Sequence, residues 1–97
     1  MPGDLRGAAL EEARSSVGFR RARTADLLAR ARAFEAWLKP CVTANDYPGW
    51  LLARRALQLA CEDVRLERVP PGRTPADTRS ILRRAEAYRA FLLGEAA

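Results

Sequence analysis

The chain has no histidine, a single lysine beside sixteen arginines, and two cysteines. Each shortage closes off some chemistry. Without an imidazole there is no histidine base to activate a nucleophile, and no glycine-rich phosphate loop is present. Cys41 and Cys61 form no C-x-x-C pair, and nothing is at hand to complete a structural zinc site, so no metal is expected. The two cysteines read as reduced thiols, one of them buried, with a disulfide between them as the alternative.

Long apolar runs are also missing. None approaches the roughly 20 residues that a membrane span requires. The segment "MPGDLRGAALEEARSS" lacks the charged-then-apolar layout of a secretory signal. Its two glutamates and one aspartate argue against an organelle transit peptide. The expectation is a cytoplasmic protein with no membrane partner.

Valine and isoleucine are scarce, while alanine and leucine supply most of the 48% apolar content. That balance favours helix over sheet. The length of 97 residues fits one domain spanning 1–97. Four helices are predicted. The first covers about 5–17, with Asp4 as N-cap and a thin apolar face of Leu5, Ala9, Ala13 and Val17, with Leu10 beside them. The second covers about 24–39, capped by Thr24 and stopped before Pro40. Its stripe is Leu27, Ala31, Phe34 and Leu38. The third covers about 47–68, ahead of the breaker "VPPGR". The fourth covers about 75–93, with Thr74 as cap, Pro75 at the first position, Asp77 at the third, and Gly94 as the stop. Together they predict a compact all-α four-helix bundle.

The second and fourth helices are spelled nearly alike. "TADLLARARAFEAWL" (24–38) lies over "TRSILRRAEAYRAFL" (78–92) at an offset of 54, with seven identities. These are Thr24/Thr78, Leu28/Leu82, Arg30/Arg84, Ala31/Ala85, Ala33/Ala87, Ala36/Ala90 and Leu38/Leu92. Leu27/Ile81, Phe34/Tyr88 and Trp37/Phe91 exchange like for like. Either alanine-rich amphipathic helices converge by chance, or the chain holds two similar helical hairpins. Both readings make the doubled stretch a scaffold signal.

The third helix has two apolar faces. Trp50, Ala53, Leu57, Ala60, Cys61 and Val64 form its expected core face. Leu52, Leu59 and Leu66 repeat every seven residues on roughly the opposite side, where a surface helix is normally polar. Two readings stand: the helix is buried on most sides, or the leucine row, rimmed by Arg55, Glu62 and Asp63, docks on a larger protein or assembly or on a second copy.

The adjacent carboxylates Glu11–Glu12 and Glu62–Asp63 point about 100° apart on a helix and do not converge on one atom. They read as solvated surface. No catalytic residue and no cofactor is indicated, and the expectation is a non-enzyme. The net charge of +5 permits nucleic acid as a partner. Arg20, Arg21 and Arg23 in "GFRRAR", with Arg54 and Arg55, are the candidate phosphate contacts for that alternative.

The run "TPADTRSILRRAEAYRAFLLGEA", about a quarter of the chain, joins a Thr-Pro cap, an aliphatic pair, an alanine-aromatic stripe and a late glycine. In this it resembles the ends of short helical proteins encoded by phages and other bacterial mobile elements. The resemblance implies a small accessory protein that acts by binding: a regulator, a subunit of an assembly, or an inhibitor of a host system (anti-CRISPR proteins are of this size). That group shares no site motif, so no functional residue is carried over.

Overall fold

A computed structural model describes residues 4–17, 23–42, 47–66 and 78–96. They form four helices: α1 (Leu5–Val17), α2 (Thr24–Cys41), α3 (Tyr47–Leu66) and α4 (Thr78–Ala96). No strand occurs among the described residues. The bundle is all-α, as the sequence predicts. Its shortest dimension is 18 Å, the thickness of two helices, so the core is a single seam between two layers.

α1 starts as expected. The amide of Arg6 donates to Asp4 Oδ1 at 3.1 Å, and the amide of Ala8 donates to the Asp4 carbonyl at 2.9 Å. Gly7 has a reason to be there. A Cβ at this position would come within 2.6 Å of Asp4 Oδ2, so glycine leaves room for the capping carboxylate. The buried face of α1 is Ala8, Ala9, Glu12, Ala13 and Ser16. Small residues let α1 sit close to its neighbours. Two members of that face are polar, and Glu12 is not the solvated residue that local spacing predicts.

α2 departs from expectation at both ends. Arg23, not Thr24, occupies the N-cap, in extended conformation and without a side-chain cap bond. The helix does not stop before Pro40 but runs through it to Cys41. Proline here forfeits the bond its N–H would have made to the Ala36 carbonyl and crowds that carbonyl with its ring. Just past it, Cys41 and Val42 pack against the core. The amide of Val42 closes the end on the Lys39 carbonyl at 3.3 Å.

All six expected core residues of α3 are buried, and Ala56 joins them. The last two predicted residues of that helix, 67 and 68, lie outside the described residues. So does the predicted start of α4 at Thr74, Pro75 and Asp77. Gly94 does not end α4, which continues to Ala96. A Cβ at Gly94 would meet nothing within 4 Å, so no close approach requires glycine there.

α1 packs chiefly on α2 and α3 chiefly on α4, while α1 also lies along α3 and joins the two pairs. The largest fully buried side chains are Phe34, Leu38, Leu57, Ile81 and Cys61, drawn from three helices. The doubled stripe is used in two registers. In α2 the later members Ala31, Phe34 and Leu38 are buried and Leu27 is half-buried. In α4 the earlier members Ile81 and Ala85 are buried, while Tyr88 and Leu92 are half-buried.

Candidate functional site

Two members of the leucine row of α3 lie outside the core. Leu52 and Leu59 are half-buried and belong neither to the core cluster nor to the partly buried residues packed on it. Leu66 closes the helix, and its side chain lies outside the described residues. At 100° per residue, Leu52, Leu59 and Asp63 fall within a strip roughly 40° wide.

Asp63 shows where that strip faces. Its Oδ2 accepts the phenolic hydrogen of Tyr88 on α4, and the Arg84 guanidinium stands 3.9 Å away. The strip therefore borders α4. Asp63 is drawn into the seam between the two helices, while Arg55 and Glu62 stay exposed on the outer edge. The hydrogen bond to the Asp63 carboxylate favours the protonated phenol and raises the Tyr88 pKa above its ordinary value.

On the α4 side, Asp63, Arg84, Ala87, Tyr88 and Phe91 line an open groove of about 440 Å³. Phe91 is 61% exposed, the most exposed large apolar side chain among the described residues. Its counterpart in the doubled stretch, Trp37, is half-buried, packs on the core and donates from Nε1 to Glu86 on α4 at 3.2 Å. The same position is thus internal in one helix and open in the other. Sequence reading missed Phe91 as a surface feature, because it matches Trp37 like for like and local spelling does not say that only Trp37 packs on the core.

The candidate phosphate-contacting arginines do not share one surface. Arg20 and Arg21 lie outside the described residues. Arg54 is a strut between α3 and α1: its Nη2 lies 3.0 Å from Glu11 Oε2, and its guanidinium sits 5.9 Å from the Trp50 ring centroid. Arg23 and Arg55 are exposed and line different cavities.

Two further polar features emerge only in three dimensions. Glu12 is 4% exposed and sits against α3. Burial pushes its carboxyl above the ordinary range, opposed by a hydrogen bond with Gln58 and by the positive charge of Arg54. Arg30 ties three helices together: Nε donates to Thr78 Oγ1 at 3.1 Å and Nη1 to Ser16 Oγ at 3.0 Å. Ser16 Oγ in turn donates to the Ala13 carbonyl at 2.7 Å. The identity of Arg30 and Arg84 across the doubled stretch was the one sequence signal for it.

Both thiols are free. Cys61 is buried, and desolvation pushes it up to about 12, so it stays protonated and a poor nucleophile. Cys41 is half-buried and raised for the same reason. Among the described residues, no group of three or more histidine, cysteine or acidic side chains is placed to hold a metal ion. No helix of the described residues is long and apolar enough to cross a membrane.

Comparison with known proteins finds no match: no family model, no curated protein and no solved structure is similar to this chain.

Proposed function

We propose that this chain is a non-catalytic binding protein that docks on a larger protein or assembly through the α3–α4 face. One observation carries the reading: Leu52 and Leu59 stay outside the core on the strip that borders the Tyr88–Phe91 groove. Half-exposed apolar side chains on a helix that also borders a groove with an open aromatic are of the kind that partners cover. The polar groups nearby support the same reading. Asp63, Tyr88 and Arg84 partner one another across the seam and link the two helices beside that surface. A small regulator or inhibitor of the type carried by phages and mobile elements fits this description. The nucleic-acid alternative has less support, since Arg54 is committed to Glu11.

The test compares wild type with Leu59→Glu and Phe91→Glu. Affinity capture identifies a partner, and the purified pair is then reconstituted and its Kd measured. Both variants are expected to keep wild-type helicity and to bind about tenfold more weakly or worse. Unfolding of Leu59→Glu would make the strip part of the core. Unchanged affinity in Phe91→Glu would then remove the α3–α4 face from consideration. Native mass in solution distinguishes a second copy of the chain from a different partner.

A further inference from the structure

A second surface, away from the α3–α4 groove, carries a different chemistry. An open depression of about 670 Å³ is lined by Val17, Arg23, Asp26, Leu27, Arg30 and Thr78, among others. Arg30 is unusual among the half-buried arginines of the described residues. The others, Arg54, Arg84 and Arg89, each stand within ion-pair distance of a carboxylate, on Glu11, Asp63 and Glu86 respectively. Arg30 is half-buried, yet its two protein partners are the neutral hydroxyls of Thr78 and Ser16. Its charge is left uncompensated by any ion pair among the described residues.

The hydrogen-bond inventory sharpens the point. A guanidinium carries five N–H donors. Arg30 commits one from Nε and one from Nη1, so three remain without a protein partner among the described residues. Thr78 Oγ1 accepts from Arg30 and so keeps its own hydrogen to donate. Two helical turns earlier on the same face, Arg23 is exposed and makes no ion pair among the described residues. Asp26 lines the same depression and offsets one of the two positive charges. The other remains, on a side chain already held in place by two tethers.

We propose that this depression binds a phosphate-type oxyanion, forked by Arg30 and Arg23 with the Thr78 hydroxyl as a third donor. A guanidinium fork matches the geometry of phosphate oxygens, and a donor already fixed by Ser16 and Thr78 loses little freedom on binding. The same chemistry is presented by free phosphate and by the phosphodiester of a nucleic acid.

The ¹⁵N-labelled full chain, titrated at constant ionic strength first with inorganic phosphate and then with a short single-stranded DNA oligonucleotide, tests the site by NMR. Saturable shifts are expected at the Arg23 and Thr78 amides and at the Arg30 Nε–H. Arg23→Ala removes an exposed side chain, so its melting temperature should match wild type while anion affinity falls about tenfold. Tight binding of the oligonucleotide that weakens steeply with salt would place the phosphate on a nucleic-acid backbone. Binding of inorganic phosphate alone would make the ligand a free anion. The proposal is overturned if neither ligand moves these resonances, or if Arg23→Ala and Thr78→Val both bind like wild type.

Discussion

Tyr88 on α4 donates its phenolic hydrogen to the carboxylate of Asp63 on α3, at the position where the doubled sequence has Phe34 in α2. Phe34 needs no such partner because it is fully buried among apolar side chains. Tyr88 sits half out of the core, and its hydroxyl gives the α3–α4 seam a directional contact in place of burial.

Removing that hydroxyl tests the contact. Tyr88→Phe should destabilise the fold by about 1 kcal/mol, the usual net worth of one such bond. Denaturant unfolding monitored by circular dichroism measures it. Asp63→Asn should lower the Tyr88 pKa toward its ordinary value, because the carboxylate that stabilises the protonated phenol is gone. Ultraviolet titration of the tyrosines reads that change, and a phenol still raised in Asp63→Asn would contradict the assignment.

Glu12 gives the fold a pH dependence of definite sign. Its folded-state pKa is raised above the unfolded value, with burial as the largest cause. The native state therefore binds a proton more tightly than the unfolded chain. Stability from this group is full below the ordinary glutamate pKa and is lost as pH rises through the folded pKa. Glu12→Gln keeps the shape and the capacity to hydrogen-bond Gln58 without the charge. It should be more stable than wild type at neutral pH, and the difference should vanish in acid. Unfolding free energies measured across a pH series decide this, and equal slopes for the two proteins would refute it.

The two registers of the doubled stripe predict unequal costs at matched positions. Leu38 is fully buried and Leu92 is half-buried, although the sequences around them are alike. Leu38→Ala should cost roughly 2–5 kcal/mol through lost burial and the cavity left behind, while Leu92→Ala should cost about 1 kcal/mol. A domain holds only about 5–15 kcal/mol in all, so the first variant should be visibly frayed by chemical denaturation. Similar costs at both positions would mean that α2 and α4 are equivalent after all.

The helices and most of the faces they bury are legible in the residue pattern alone. Trp50, Ala53, Leu57, Ala60, Cys61 and Val64 recur at helical spacing, and that periodicity is a local property which survives any arrangement of neighbours. Asp4 caps α1 for the same reason: a cap needs only the residues beside it. Local rules failed where a neighbour outweighed them. Pro40 stays inside α2, with Cys41 and Val42 packed on the core just past it, and Gly94 stays inside α4, where no close approach requires glycine.

Which polar groups are internal and which apolar ones are left outside depends on how the helices pack. Glu12 is indistinguishable from Glu11 in sequence, yet one faces α3 and the other reaches Arg54 from the surface. Phe91 and Trp37 share a spelling but not a neighbour. Arg30 and Arg84 hold the same position in the doubled stretch, and one meets hydroxyls while the other meets a carboxylate. A helix's own pattern states how its side chains are spaced around it. How many helices press against it, and from which side, depends on contacts between residues far apart in the chain. Those contacts leave Leu52, Leu59 and Phe91 at the surface and the charge of Arg30 without a carboxylate among the described residues.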